Sequence, residues 1–278
     1  MREAAVVTDR RSVLVINFAI PLKSRSVAVD WTLVVRLLEN TLRSIFNQTL
    51  QDFRIVVACH EIPQTSFNGD PRLEFVSIDS PRPLFLWERV IDKHRKRETA
   101  LSKLRCKDDA YYMMLDSDDL ISSRLIEFVE RDKASYGYIV KKGYEWDFSA
   151  NVVRLAPEFQ RVSGSCAILR LRPDDIPESP LLPENSIVRE LMNRHHPTWA
   201  RWLASVGRPL TPLPFRGVTY VMNTVENLSG QQGNIGKKRK LLRMLFPAPT
   251  PSRQWLDEFG VTPERFTTDT RCESTRPQ

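Results

Sequence analysis

Residues 111–122 read YYMMLDSDDLIS, an apolar run that ends in three carboxylates. The first five residues of this run have the bulk and the β propensity of a buried strand. Asp116, Asp118 and Asp119 follow at once. Carboxylates this close raise one another's pKa and repel unless a cation lies between them. The stretch therefore predicts a strand that ends at a site for a metal ion or a cationic ligand.

Strand and helix patterns alternate at short spacing around this stretch. Buried strands are predicted at residues 12–20, 53–61, 73–79 and 110–115. Helices are predicted at residues 30–50, 86–106 and 123–132. This alternation is typical of a parallel sheet covered by helices, in which ligands bind beyond the carboxyl ends of the strands. The acidic cluster lies at one of those ends.

The second half of the chain has a less regular pattern. Residues 136–148 and 163–173 predict strands, and a helix is predicted around 184–206 after a proline-rich stretch. Residues 209–222 predict a loop and a strand. From residue 229 onward, glycines, charges and prolines predict a mobile segment or a separate tail.

The composition is that of an ordinary globular protein, with 41% hydrophobic and 27% charged residues in a chain of 278. We expect a cytoplasmic protein, because no apolar stretch approaches the roughly 20 residues that span a bilayer and no secretory signal is recognisable. The four cysteines form no CxxC pair, which argues against a zinc site and against disulfides.

The net charge of +7 suggests anionic ligands without demanding nucleic acid. The sequence lacks the dense interleaving of basic and aromatic residues that single-strand binders show. We therefore expect no nucleic-acid partner.

The acidic cluster has three competing interpretations, of which the first is structural. An Asp before a helix that begins near Ile121 would cap that helix, although capping needs only one carboxylate. The second is the acid motif of haloacid-dehalogenase-like phosphatases, which also places Asp-x-Asp after an apolar strand. That family prefers Thr or Val shortly after the second Asp, where this chain has Asp119 and Leu120. It also needs a later acidic pair at another strand end.

The third interpretation is the diphosphate and metal site of a GT-A glycosyltransferase, a family that the chain resembles in the order of its motifs. Residues 37–61, LLENTLRSIFNQTLQDFRIVVACHE, are similar to the family's L-x-S-I-x-x-Q-T passage and the strand after it. Residues 99–122 are similar to its passage that ends in L-D-x-D-D. Trp31 and Arg36 suit the family-2-like bacterial enzymes, which include rhamnosyltransferases.

The resemblance covers roughly residues 12–230 and implies a Rossmann-like, mainly parallel sheet flanked by helices. It implies a GT-A domain over residues 1–235, with a nucleotide-sugar half at about 12–132 and an irregular acceptor half at about 133–235. A basic, proline-containing tail over residues 236–278 would follow.

The chemistry of a nucleotide-sugar explains the carboxylates. Negative charge grows on the diphosphate as the sugar leaves, and a divalent cation neutralises it. Mg²⁺ or Mn²⁺ binds carboxylate oxygens, and Mg²⁺ is typically held by one or two of them plus phosphates and water. Asp116 and Asp118 lie two residues apart, so both would face one side of an extended backbone. The resemblance implies that Asp118 binds the metal, that Asp116 lies near the ribose or the metal, and that Asp119 orients the sugar or caps the helix.

Two further residues are expected to bind the nucleotide. Glu61 ends the second strand, where the family usually carries an Asp that binds the base. Arg97 lies in the basic helix predicted at 86–106, near the place of the family's Arg, and Lys93 is a further candidate. The alternative for each is a solvated surface position.

The general base of an inverting transfer is expected at the start of a helix after the acceptor loop. The family presents Glu-Asp there, with the Asp as base, whereas this chain has Glu184 and Asn185. An amide cannot accept a proton, so Glu184 is the predicted catalytic base, with Asp147, Asp174 and Asp175 as rivals. A helix cap is the alternative for Glu184.

The second half departs from the family again at residues 224–229. The family often has H-x-x-N-x-S there, and Thr224 stands in place of the His, ahead of the matching Asn227 and Ser229. A threonine hydroxyl is a weak ligand, so we expect a metal that has few protein ligands, a metal that binds weakly, or no metal. His195 and His196 are candidates for metal ligands or acceptor contacts, since neutral imidazole serves both, but the C-terminal cap of a helix is the favoured interpretation.

Residues 236–246, GKKRKLLRMLF, mix basic residues with leucines. They predict a loop that closes on the donor, an interfacial helix at the inner face of the membrane, or a solubilising helix. A lipid-linked acceptor would make membrane contact useful.

We therefore expect an inverting, metal-dependent glycosyltransferase that moves a sugar from a nucleotide-sugar to a glycan, lipid-linked or polysaccharide acceptor. Thr224 and Asn185 leave open a degenerate fold that binds nucleotide or glycan without turnover. A phosphatase is the third alternative.

Overall fold

The structure is a computed structural model that describes residues 16–176, 178–179, 186–227 and 248–262. Its strands are β1 (Ile16–Pro21), β2 (Phe53–Cys59), β3 (Leu73–Ser77), β4 (Ala110–Met114), β5 (Leu120–Ile121), β6 (Gly137–Ile139), β7 (Gly143–Asp147), β8 (Val152–Ala156), β9 (Ala167–Leu171), β10 (Thr211–Pro212) and β11 (Val218–Met222). Its helices are α1 (Trp31–Phe46), α2 (Leu86–Leu104), α3 (Leu125–Asp132), α4 (Ile187–Met192), α5 (Trp199–Ser205) and α6 (Arg253–Phe259). Within these ranges, we find no helix with the length and apolar character that a bilayer crossing requires.

The central sheet has seven strands in the order β10-β6-β9-β4-β1-β2-β3. Strands β4, β1, β2 and β3 are parallel, whereas β9 runs antiparallel to β4 on one side and to β6 on the other. Every residue of β1 and β4 is buried, as continuous apolar runs predict for strands covered on both faces. The predicted α/β class, with a mainly parallel sheet flanked by helices, is confirmed.

The register brings the carboxyl ends of β4, β1 and β2 to one edge of the sheet. Ala19 of β1 pairs with Met114 of β4, and Ile20 pairs with Val57 of β2. The acidic residues after β4 therefore share this edge with the residues that follow β1 and β2. This is the edge at which such sheets bind ligands.

A second sheet of four strands, in the order β5-β11-β7-β8, is missing from the sequence predictions. Its strand β5 consists of Leu120 and Ile121, which pair antiparallel with β11. Because these two residues belong to a strand, helix α3 begins only at Leu125, and Arg124 is its N-cap residue. The interpretation of the acidic cluster as the cap of this helix is therefore wrong.

The helix predicted at 184–206 is also wrong as a single element. Helix α4 ends at Met192 with Asn193 as its C-cap, and α5 starts at Trp199 after a short 3-10 turn. Pro197 explains the break, because a proline has no N–H to donate to the carbonyl four residues earlier, which is that of Asn193, where α4 stops. His196 precedes this proline, so it does not cap α4.

Part of the predicted tail packs onto the domain. Trp255 and Phe259 lie four residues apart on α6, and both are buried. They cluster with Trp146 of β7 and with Leu33 and Leu37 of α1. Residues 248–262 therefore contribute to the core, because an aromatic pair at helical spacing gives α6 an apolar face.

Gln48, in the Gln-Thr passage, joins the end of α1 to the segment after the acidic cluster. Gln48 is buried, with 4% of its surface exposed. The Gln48 Nε2 group donates to the carbonyl of Ser122 at 2.7 Å, and its Oε1 accepts from the backbone N–H of Ile126 at 3.0 Å. The passage that carries the family resemblance therefore has a structural function here: it anchors the chain on the far side of the acidic residues.

We expect the isosteric change Gln48→Glu to destabilise the protein by about 1–3 kcal/mol, because a carboxylate cannot donate to the buried Ser122 carbonyl. Gln51→Glu is the matched control, since Gln51 is exposed. Its effect should stay within about 0.5 kcal/mol. Urea unfolding at pH 8 measures both, and equal losses in the two variants would contradict the anchoring function.

Candidate active site

A cavity of about 570 Å³ opens at the carboxyl edge of the central sheet. Its lining comes from the end of β1, one face of α2, the residues after β4, the segment 192–199 and the turn 224–227. Asp116 and Asp118 both line it, so two of the three predicted carboxylates lie where a ligand can reach them.

Asp116 is neutralised by two cations from α2. The Nζ group of Lys93 lies 2.8 Å from Asp116 Oδ1, and Nη2 of Arg97 donates to the same oxygen at 2.7 Å. Burial acts to raise the pKa of Asp116, but the charges of Lys93 and Arg97 outweigh it and lower the pKa to about 2. Arg97, which the sequence predicted at a phosphate site, therefore lies in the cavity, and so does Lys93.

Asp118 has a different environment from Asp116. Its Oδ2 accepts a hydrogen bond of 3.0 Å from Nδ2 of Asn227, a neutral group. Among the described residues, no cation lies within ion-pair distance of it. Burial and the charge of Asp116 raise the pKa of Asp118 to about 6, against a smaller opposing effect of Lys93. Asp118 is thus the carboxylate in this cavity that gains most from a bound cation.

Asp119 lies behind the cavity wall rather than in it. It is fully buried, its Oδ2 accepts from the hydroxyl of Ser163 at 2.6 Å, and its Oδ1 accepts from the N–H of Val221 at 3.3 Å. Burial, followed by the charges of Asp118 and Asp116, raises its pKa well above the usual value. Its contacts join the acidic residues to β11 and to the loop before β9.

The turn at residues 224–227 explains the departure at Thr224. The hydroxyl and the N–H of Thr224 donate to Asn227 Oδ1 at 2.7 and 2.8 Å. This orients the Asn227 amide so that its Nδ2 reaches Asp118. In the same turn, buried Glu226 accepts from Lys23 Nζ at 2.7 Å and from the N–H of Asp30 at 2.6 Å. Thr224 therefore positions an amide instead of presenting a metal ligand.

The sequence reasoning missed Glu226 and Lys23, which both line the cavity. No local pattern could have found this pair, because its two members are 203 residues apart in the chain. The pair ties the turn at residues 224–227 to the end of β1.

Glu61 is placed outside the cavity lining. Its Oε2 accepts from the N–H of Arg25 at 3.0 Å and from the Ser24 hydroxyl at 3.3 Å, and its Oε1 accepts from Arg82 at 3.2 Å. Burial acts to raise its pKa, but these partners lower it. The prediction that Glu61 binds the nucleotide base stays untested, and both of its oxygens already have partners.

The predicted base Glu184, its neighbour Asn185 and the basic segment 236–246 lie outside the described residues. The rivals Asp147 and Asp175 have polar partners elsewhere: Asn223 donates to Asp147, and Arg208 pairs with Asp175 at 2.6 Å.

His196 lines the cavity, in contrast to these acids. Its Nδ1 lies 2.6 Å from the carbonyl of Gln160, which fixes Nδ1 as the protonated nitrogen and leaves Nε2 as an acceptor. Burial lowers the pKa of His196, which favours the neutral imidazole. The favoured sequence interpretation of His196 as a helix cap is wrong, because α4 ends at Met192 with Asn193 as its C-cap.

The residues present fit a divalent ion only in part. Among the described residues, no group of three or more His, Cys, Asp or Glu side chains converges on one point. Asp116 is paired with Lys93 and Arg97, which leaves Asp118 as the carboxylate suited to a metal. Because Mg²⁺ is often held by one carboxylate together with phosphates and water, this donor set fits an ion that arrives with a phosphate ligand.

We expect Asp116→Asn and Asp118→Asn to change stability in opposite directions. Asp116→Asn leaves buried Arg97 without its counter-charge and should cost about 3 kcal/mol. Asp118→Asn removes a carboxylate whose pKa is raised to about 6, so it should stabilise the protein at pH 8 by up to about 2 kcal/mol.

The increase in the free energy of unfolding that Asp118→Asn gives at pH 8 should become smaller as the pH falls toward 4. A raised native pKa means that the folded protein binds the extra proton, so the wild type loses stability as the pH rises from about 4 to about 6. Urea unfolding of both variants at pH 4 and pH 8, in buffer with a chelator, measures this. If both substitutions destabilise the protein at pH 8, the conclusion that Asp118 is an unfavourable buried charge is contradicted.

No protein-family model and no curated protein matches the chain. Its structure is similar to residues 1–349 of TarS from S. aureus, with 11% identity and a TM-score of 0.46 over 74% of this chain and 60% of that one. It is also similar to the apo-form glycosyltransferase GlyE from Streptococcus pneumoniae TIGR4, with 10% identity and a TM-score of 0.39 over 83% of this chain and 59% of that one. The chain thus spans about three fifths of the length of either structure.

Proposed function

We propose that this protein transfers a glycosyl group from a nucleotide-diphosphate-sugar to a hydroxyl of a glycan, lipid-linked or polysaccharide acceptor. One observation carries the proposal. Asp116, paired with Lys93 and Arg97, lies beside Asp118, which has no ion-pair partner among the described residues, in a cavity at the carboxyl edge of a parallel sheet. Such an arrangement suits an anionic ligand that binds together with a cation.

The charges of the site support a diphosphate with a divalent ion. Lys93 and Arg97 balance Asp116 and Asp118, so these four groups sum to zero. A diphosphate diester carries about two negative charges, and a divalent ion at Asp118 would restore neutrality. When bound, the ion would act as a Lewis acid on the leaving diphosphate. Lys93, which is 32% exposed at its side chain, can also donate to a phosphate oxygen without leaving Asp116, because an ammonium has three donors.

Asp116 and Asp119 have supporting functions in this proposal. Asp116 holds Lys93 and Arg97 at the phosphate position, and its own N–H donates to the Ser165 hydroxyl at 3.0 Å. Asp119 joins the acidic residues to β11 and acts by positioning, since it is fully buried outside the cavity.

An inverting displacement needs a group that accepts the proton of the attacking hydroxyl. Glu184 remains the candidate that the sequence proposes. His196 is a second candidate, because its neutral imidazole lines the cavity and its tautomer is fixed by Gln160. Inversion of the anomeric centre of the sugar is part of the proposal.

A phosphatase receives less support from the site. It would need a later acidic pair at another strand end. The later strands of the central sheet that run parallel to β4 are β6 and β10, and they are followed by Val140 and Lys141 and by Leu213 and Pro214. A fold that binds nucleotide without turnover remains an outcome of the experiment below.

The test is release of nucleoside diphosphate from a panel of UDP-, GDP-, dTDP- and CDP-sugars with Mn²⁺. We expect turnover of at least one donor by the wild type and a loss of about 100-fold or more in Asp118→Asn, because the charge that binds the cation is removed. Asp108→Asn is the matched control. Asp108 is exposed and lies just before the start of β4, at the end of the strand opposite the cavity.

The control should keep wild-type activity within about twofold. Turnover that is unchanged in Asp118→Asn would refute the function assigned to this carboxylate. Binding of a nucleotide without turnover of any donor would favour the non-catalytic alternative.

A further inference from the structure

Helix α2 presents two pairs of charged residues to the cavity, one pair beside the other. Lys93 and Arg97 lie four residues apart and reach Asp116 at the end of β4. Asp92 and Lys96 are each one residue earlier, also four apart, and form their own ion pair of 2.6 Å. Both members of this second pair line the cavity, yet the diphosphate site does not use them.

The second pair faces the end of β2 instead of the end of β4. His60 follows β2, and its Nε2 lies 3.8 Å from Asp92 Oδ1. Since β1 lies between β4 and β2, the end of β4 and the end of β2 are about two strand spacings, or roughly 10 Å, apart. The cavity therefore has two polar regions, joined across the end of β1.

Asp92 has an unsatisfied acceptor in this second region. The residue is 8% exposed, its Oδ2 accepts from Lys96, and its Oδ1 has no hydrogen-bond partner among the described residues. A buried acceptor without a donor is costly, so a ligand that supplies an N–H there would be favoured. Lys96, 1% exposed, has three N–H donors, of which Asp92 uses one.

The charge of the pair restricts what it binds. A phosphate would be repelled by the free oxygen of Asp92, and a cation would be repelled by Lys96. A neutral edge that has an N–H beside a carbonyl oxygen matches both groups at once, because the N–H can donate to Asp92 and the carbonyl can accept from Lys96. The imide edge of uracil or thymine and the lactam edge of guanine have this pattern.

We propose that Asp92 and Lys96 bind the base of the nucleotide donor and select a base with an imide or lactam N–H, namely uracil, thymine or guanine. This inference rests on the proposed function. It differs from the expectation that Glu61 binds the base, since Glu61 lies outside the cavity lining and both its oxygens have partners.

The experiment is calorimetric titration of the wild type with UDP, dTDP, GDP, CDP and ADP in the presence of Mn²⁺. It is followed by the N-methylated form of the nucleotide that binds best, such as 3-methyl-UDP or 1-methyl-GDP. We expect UDP, dTDP or GDP to bind best and methylation to weaken binding by about tenfold or more, because it removes the N–H that Asp92 would accept.

Asp92→Asn, which preserves shape, should lose about tenfold in affinity for the unmethylated nucleotide and respond to methylation by less than about threefold. Asp108→Asn is the matched control and should stay within about threefold of the wild type, since Asp108 is exposed and lies outside the cavity lining. Glu61→Gln tests the competing expectation that Glu61 binds the base. If Asp92→Asn does not fold, the affinities of the wild type for the parent nucleotide and for its N-methylated form still test the inference.

Equal binding of the methylated and parent nucleotides would overturn this inference and leave the proposed function intact. Best binding of CDP or ADP, or a loss confined to Glu61→Gln, would do the same. If no nucleoside diphosphate binds, the proposed function fails together with the inference.

Discussion

Repulsion among three carboxylates at one strand end is the constraint on which the rest of the site depends. Each of the three is stabilised by a different part of the chain: Asp116 by two cations of α2, Asp118 by the Asn227 amide, and Asp119 by the Ser163 hydroxyl and the backbone of β11. The acidic residues therefore hold α2, the turn at residues 224–227 and the second sheet in one arrangement. The same contacts form the walls of the cavity.

These contacts leave the three carboxylates unequal. Asp116 is ionised at all ordinary pH values, whereas burial and the charge of Asp116 raise the pKa of Asp118 to about 6. Near neutral pH, Asp118 is thus an ionised group that its surroundings destabilise. A bound cation would relieve this, so the free energy that the fold loses at Asp118 becomes available for binding a metal-bound diphosphate.

The sequence predicts the first half well because its signals are local: apolar runs give β1, β2 and β4, and helical spacing gives α1 and α2. It fails where contacts are distant in the chain. Strand β5 has only two residues and exists because it pairs with β11, and the Lys23–Glu226 contact joins residues that are 203 positions apart. The charged residues of α2 do not indicate which partners Lys96 and Arg97 contact, because those contacts depend on how the helix packs against the sheet.

The central claim is that Asp118 binds a nucleoside diphosphate through a divalent cation. Calorimetric titration of the wild type and of Asp118→Asn with UDP, GDP, dTDP and CDP, with and without Mn²⁺, tests it most directly. The account predicts that at least one of these ligands binds the wild type, that Mn²⁺ strengthens the binding, and that the variant loses the Mn²⁺-dependent part. Equal affinity of both proteins for that ligand, or no binding of any of the four in either condition, would contradict it.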